Sequence, residues 1–216
     1  MSYITLVRHG QANSAARDEG NYDKLSDLGH QQARWLGAHL KENQAFYPRV
    51  YSGTLTRHIE TAASMGLSEP IRDPRLNEVE YFRMSQLFKE QHGEPLPETR
   101  EGFIEHLPKT FAAWQRGEIE DTPETFDEFE TRVGDVLREI GTEGGPAIVV
   151  TSGGLISMVV RIAMGLDLAS MSRVALAIMN TSLHRLHPIG PQLSPVLFNA
   201  VPHLEAPDRR YAQTHL

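Results

Sequence analysis

Hydrophobic positions mark the chain off as alternating strands and helices. Tyr3-Ile4-Thr5-Leu6-Val7 is short, apolar and β-branched, the pattern of a buried strand. The polar stretch Gln11–Asp27, with its Asn, Ser, Gly and Asp, predicts a loop. Ser26 or Asp27 can cap a helix beginning near Leu28, with Ala33, Leu36, Ala38 and Leu40 on its apolar side. Pro48–Ser52 predicts a second strand, feeding a helix from Thr54 to Met65 that turns Leu55, Ile59, Ala62 and Ala63 inward. Phe103, Leu107, Phe111 and Trp114 recur at helical spacing. Phe126, Phe129, Val133, Leu137 and Ile140 do so again, after a start signal at Thr122-Pro123-Glu124. Gly144-Gly145-Pro146 ends that helix. Ala147–Thr151 is the strongest strand pattern, ending in Ser152-Gly153-Gly154 and running into a helix at Leu155–Leu166. Further strands are predicted at Ser182–Leu186 and Val196–Asn199.

Alternation of this kind predicts an α/β fold in three layers, a central mostly parallel sheet flanked by helices. Residues 1–216 are expected to form a single domain, with a helical insertion covering the site at about residues 79–143. Ligands of such folds sit beyond the carboxyl ends of the strands. Three ends stand out: Arg8-His9-Gly10, Ser52 with Arg57 just beyond, and Ser152-Gly153-Gly154. Parallel strands would bring these residues to one edge of the sheet.

The chemistry of that edge suits a phosphate ester. An imidazole placed directly after a strand, as His9 is, can attack phosphorus through a ring nitrogen. Arg8 and Arg57 can grip phosphate oxygens with forked hydrogen bonds, which lysine cannot match. A leaving alkoxide needs a proton, which a carboxylic acid can give. Glu78 in Leu76-Asn77-Glu78 is the candidate, though spacing alone does not separate it from Glu80. Gln11, Asn13 and Ser14 follow His9 closely enough to touch substrate.

Composition removes several other chemistries. Among 216 residues there is no cysteine, which excludes disulfide frameworks, zinc–thiolate and iron–sulfur sites and cysteine nucleophiles. Lys plus Arg number 21 and Asp plus Glu 28, a net charge of −7, without the basic stripe of a nucleic-acid-binding protein. The acidic excess lies in Lys89–Glu143, read as a solvated face. Leu155–Leu166 is the longest apolar stretch; broken by Ser157 and Arg161, it is too short for a bilayer. The N-terminus lacks the pattern of a signal peptide, so a cytoplasmic protein is expected. His184-x-x-His187 on a strand places its rings on opposite faces, against a metal site. His203 reads as structural, and His58 as lying either at the pocket rim or on the surface.

Taken in order, these segments resemble the histidine phosphatase superfamily, also called the phosphoglycerate mutase-like family. Leu6-Val7-Arg8-His9-Gly10 resembles its signature. Leu25-Ser26-x-x-Gly29-x-x-Gln32-Ala33 resembles its Leu-Thr-x-x-Gly-x-x-Gln-Ala segment. Ser52-x-x-Leu55-x-Arg57-x-x-x-Thr61-Ala62 resembles the motif that supplies another phosphate-binding arginine, and Leu76-Asn77-Glu78 falls where the family carries its acid. Val149–Gly154 resembles the strand that normally ends in Ser/Thr-His-Gly-Gly. The likeness spans residues 3–204.

The resemblance implies a phosphomonoester hydrolase acting on a small phosphorylated substrate, with neither metal nor organic cofactor. His9 would form a phosphohistidine, Glu78 would protonate the leaving group, and Arg8 and Arg57 would hold the phosphoryl oxygens. Gly153 would offer a backbone N–H. One position departs from the pattern: Ser152 stands where the family has its second histidine. Losing one preorganised donor costs about 10²–10³ in rate, so a slower phosphatase is expected. A change introduced for study, or a protein that binds phosphate without turnover, would also account for Ser152. A phosphoglycerate mutase-type phosphotransferase is the alternative activity. The identity of the substrate and the oligomeric state are left open by the sequence.

Overall fold

The computed structural model describes residues 2–13 and 19–215. Its first half runs β1 (Tyr3–Arg8), α1 (Glu19–Tyr22), α2 (Asp27–Glu42), β2 (Arg49–Ser52), α3 (Thr56–Ser64), β3 (Ile71–Arg72) and α4 (Tyr81–His92). Next come α5 (Arg100–Gln115), α6 (Phe126–Thr142), β4 (Pro146–Thr151), α7 (Gly153–Met164), α8 (Leu168–Ala177), β5 (Leu183–Ile189) and β6 (Gln192–Ala200). Short 3₁₀ turns lie at Pro74–Leu76, Pro202–Leu204 and Arg210–Ala212.

The strands form one sheet in the order β3-β2-β4-β1-β5-β6. β3, β2, β4 and β1 are mutually parallel, and β5 and β6 extend the sheet antiparallel. The mostly parallel sheet expected from the alternation is therefore present. Successive residues of a strand face opposite ways, and the core divides accordingly. Ile4 and Leu6 of β1 and Ala147 and Val149 of β4 join one buried cluster with Phe129, Val133 and Leu137 of α6 and Leu155 and Met158 of α7. Val7, Ile148 and Val150 face the other way, onto Ala33, Leu36 and Leu40 of α2 and Ala62 of α3. Strands β1 and β4, covered on both faces, are apolar nearly throughout, as central parallel strands must be.

Several local expectations need correction. Ser26 is the cap of α2, accepting from the Gly29 N–H at 3.1 Å, but Ala38 is exposed, the apolar face being narrower than a plain heptad count suggests. In α3 the buried residues are Arg57, His58, Thr61 and Ala62, while Leu55 and Ile59 are only half-buried and Ala63 is exposed. The helix is rotated because its polar side chains build a site rather than meet solvent. The α6 start lies at Thr125, not Thr122: Thr125 and Glu128 form a reciprocal capping box. The helix after β4 begins at Gly153, two residues early. Helix α1 interrupts the stretch read as a loop, and α8 has no counterpart in the sequence reading.

Between Glu78 and β4 lie α4, α5 and α6. Helix α6 packs beneath the sheet against β1 and α7, whereas α4 carries Phe82 to the ring of Tyr22, 5.8 Å away between centroids.

Candidate active site

Three neighbouring parallel strands, β2, β4 and β1, end at one edge. There β1 passes into His9, whose N–H donates to the Thr151 carbonyl at 2.8 Å. The same ladder carries the Gly53 N–H to the Val150 carbonyl at 3.1 Å. Hydrogen bonding thus fixes His9, Ser152 and the start of α3 relative to one another before any side chain is considered.

Gly10 permits the next step. A Cβ there would lie 2.5 Å from the Gly29 carbonyl oxygen, so its close approach is to the backbone of α2. The Gly10 N–H donates to Thr61 Oγ1 at 3.0 Å, and the Thr61 hydroxyl donates to the Arg57 carbonyl at 2.6 Å. The turn after His9 is therefore clamped between α2 and α3.

His9 is buried, with Nδ1 2.7 Å from the Gly10 carbonyl oxygen. A carbonyl only accepts, so Nδ1 carries the proton and Nε2 keeps its lone pair. Burial pushes the imidazole well below its usual range, and the charges of Arg57 and Arg8, with His58, push the same way. His9 is thus a neutral imidazole at neutral pH, with one nitrogen able to act as a nucleophile.

Arg57 is buried and ion-paired with Asp23, Nη1 to Oδ1 at 3.1 Å, and lies over the Tyr22 ring at 5.0 Å. Asp23 also accepts from the N–H groups of Thr56 at 2.9 Å and Arg57 at 3.2 Å, holding the N-terminus of α3. Arg8 donates through Nη1 to the carbonyls of Ile178 and, at 2.7 Å, of His215. Burial pulls its pKa below the ordinary arginine value, against the pull of Tyr22 and Glu78. Tyr22 also meets His9 edge-on, 6.4 Å between centroids.

Glu78 and Glu80 are now distinct. Glu80 is exposed, while Glu78 Oε2 accepts from the Gly154 N–H at 2.9 Å and Oε1 from the Val79 N–H at 3.0 Å. A Cβ at position 154 would lie 2.3 Å from Glu78 Oε1, so glycine there makes room for the carboxylate. Gly153 lies beside Arg8: a Cβ on it would stand 3.5 Å from Arg8 Nε.

Gln11 and Asn13 face other partners. Gln11 Oε1 accepts from the Ser26 hydroxyl at 2.8 Å, and Asn13 Nδ2 donates to the Asn21 carbonyl at 3.1 Å. Ser14 lies outside the described residues. His203, read as structural, is buried with Nε2 2.8 Å from Thr181 Oγ1. His184 is likewise buried, against Ser182, while His187 stacks on Tyr3, and no cluster suited to a metal occurs among the described residues.

Three residues here have no role in the sequence pattern, Tyr22, Asp23 and Thr61 as a clamp, and a fourth, His58, is placed differently from the expectation. His58 is buried rather than at the rim or surface, with Nε2 2.6 Å from Ser152 Oγ and its ring 5.8 Å from that of His9. Its adjacency to Arg57 is what points to the rim; the contact with Ser152, 94 residues away along the chain, has no local signal.

Known proteins share this framework. A phosphoserine phosphatase mutant from Entamoeba histolytica, in complex with phosphoserine, superposes with a TM-score of 0.70 at 19% identity, over 94% of this chain and 100% of that one. The mycobacterial glucosyl-3-phosphoglycerate phosphatase, in complexes with VO3, gives 0.64 at 24% identity over 92% and 98%. A phosphoglycerate mutase from Bacillus anthracis str. Sterne gives 0.66 at 21% identity over 94% of each chain. These likenesses concern the fold. No curated protein sequence matches the chain. The sequence itself matches the family described as histidine phosphatase superfamily (branch 1) over residues 4–201, which takes in every strand end assembled above, and the chain therefore belongs to that superfamily.

Proposed function

We propose that the protein is a phosphomonoester hydrolase that works through a phosphohistidine on His9. The observation that carries this reading is the bond from His9 Nδ1 to the Gly10 carbonyl, which leaves Nε2 free beside two guanidinium groups. Nε2 attacks phosphorus as the bond to the leaving oxygen breaks, and Glu78 gives that oxygen a proton. Water then attacks phosphorus, passes a proton to Glu78 and displaces the imidazole, whose nitrogen recovers its electron pair. Arg8 and Arg57 hold the equatorial oxygens in both steps, where the geometry of guanidinium matches phosphate. Ser152 offers a hydroxyl where the family places an imidazole. Tyr22 and Phe82 form an aromatic wall suited to the organic part of a small ester.

The test is phosphate release from p-nitrophenyl phosphate, with mass analysis of the briefly incubated protein. Expected are turnover, a phosphate adduct on His9, and loss of both in His9→Ala. Equal rates for the two proteins would overturn the reading. Release of inorganic phosphate, rather than exchange between phosphoglycerate isomers, separates hydrolysis from the mutase alternative.

A further inference from the structure

We propose that His58 supplies the second imidazole of this site, acting on the phosphoryl group through the hydroxyl of Ser152; this rests on the phosphatase reading above.

Ser152 occupies the N-cap of α7, where a serine oxygen ordinarily accepts from the first turn of its helix. It makes no such bond. The Gly154 N–H is instead taken by Glu78, and Ser152 Oγ meets His58 Nε2 at 2.6 Å. The hydroxyl is thus committed to an imidazole that arrives from α3, across the end of β2. That imidazole is fully buried, and room for it depends on Gly53: a Cβ there would lie 2.3 Å from His58 Nδ1. Bulk alone does not explain a polar ring at this depth, because an apolar side chain would fill the space without desolvating two nitrogens.

The proton arrangement follows from the surroundings. Burial and the neighbouring Arg57 charge keep the ring neutral in the free protein, with one N–H. Nδ1 finds no partner among the described residues in either tautomer, so the 2.6 Å contact with Ser152 is the hydrogen bond available to the ring, and the relay uses the tautomer that places the proton in it. With the proton on Nε2, His58 donates to Ser152 Oγ. The hydroxyl proton is then free to point toward a phosphoryl oxygen on His9. A bound dianion favours this orientation: the Ser152 hydroxyl then donates to negative charge, and that polarises its oxygen and strengthens the bond it accepts from His58. Ser152 becomes the group that touches substrate, and His58 the residue that positions and polarises it.

The experiment is steady-state hydrolysis of p-nitrophenyl phosphate, with vanadate binding measured in parallel as a mimic of the transferring phosphoryl group. His58→Leu should lower kcat by about 10²-fold, the loss typical of one transition-state donor, with KM little changed. His58→Gln, whose amide nitrogen can donate near the position of Nε2, should recover most of that loss. The double variant His58→Leu/Ser152→Ala should be no slower than the worse single variant, because the two residues act as one unit. Vanadate affinity should follow the same order. Wild-type kcat and vanadate affinity in folded His58→Leu, or losses that multiply in the double variant, would overturn the relay. If His58→Leu does not fold, nitrogen NMR of the parent decides: the His58 Nε2 resonance must move on adding vanadate, and must move less in Ser152→Ala. The control is His9→Ala. If it hydrolyses as fast as the parent, the phosphatase reading itself fails; if it alone is inactive and the His58 variants are not impaired, only the relay fails.

Discussion

Position 152 shows how far one side chain can redirect another. The resemblance drawn from the sequence implies a histidine at 152, and on the sequence alone Ser152→His is expected to raise turnover. The structure reverses it. His58 Nε2 already stands 2.6 Å from Ser152 Oγ, so a second ring following the direction of the Ser152 side chain meets the first. Overpacking a filled interior typically costs about 1–3 kcal/mol. Ser152→His alone is therefore expected to lower both the melting temperature and kcat, while His58→Ala/Ser152→His, which empties the space first, should be faster than the single variant. A single variant as stable and as active as the parent would refute this packing argument. Gly154 offers a second probe at the same scale. An alanine Cβ would stand 2.3 Å from Glu78 Oε1, the far end of a flexible side chain that can swing aside without disturbing the backbone. Gly154→Ala should thus fold normally but misplace the acid. Its activity should fall more on alkyl phosphates, whose leaving oxygens need a proton, than on p-nitrophenyl phosphate, whose leaving group does not. Equal losses on the two substrates would remove Glu78 from the acid's role.

Among the elements, α3 carries most of what the sequence could not disclose. Strands β1 and β4 are legible because burial on both faces leaves continuous apolar runs, and their polar ends stand out sharply. His9, Arg8 and Ser152 are accordingly found by position alone. Helix α3 breaks the usual rule. Its inward face holds Arg57, His58 and Thr61, and an amphipathic count chooses Leu55, Ile59 and Ala63 instead. Periodicity assumes that polar means outward, and a site buried beside a sheet edge inverts that. Asp23 was hidden for a different cause: it acts across 34 residues of chain, and no local pattern reports such a pair. Its role is testable. The Asp23 carboxylate takes the N–H groups of Thr56 and Arg57 together with the Arg57 guanidinium, so it sets both the start of α3 and the aim of its arginine. Asp23→Ala leaves a buried cation without this partner, and losses of about 3 kcal/mol or more follow when buried pairs are broken. Because Asp23 is partly exposed, the expected loss in unfolding free energy is smaller, about 2 kcal/mol, accompanied by a raised KM as Arg57 loses its orientation. Unchanged KM in this variant would show that Arg57 is held by its other contacts.

At the level of the whole molecule, buried neutral histidines tie stability to pH. His184 and His203 are both held down to about 3, chiefly by burial, and each is hydrogen-bonded in its neutral form. His9 and His58 are also pushed well below the usual histidine range, again first by burial. In the unfolded chain each would titrate near 6.5. Between that value and the folded one, the unfolded state binds more protons than the native state, so stability rises with pH across the interval and falls on acidification. At pH 5 a group moved from 6.5 to 3 contributes about 2 kcal/mol less than at neutral pH, so His184 and His203 together remove about 4 kcal/mol. That is a large share of the 5–15 kcal/mol typical of a domain. Ordinary carboxylates stay ionised at pH 5, which isolates the histidines as the cause. The urea midpoint should therefore drop clearly between pH 7.5 and pH 5. Phosphate must be left out of the buffer, since an anion bound to the native site would add stability of its own. His203→Gln, which can keep a bond to Thr181 without titrating, should start lower at pH 7.5 but lose less on acidification. A midpoint that does not move over this range would mean that these rings gain protons in the folded protein, and would remove the basis for a neutral His9 as well.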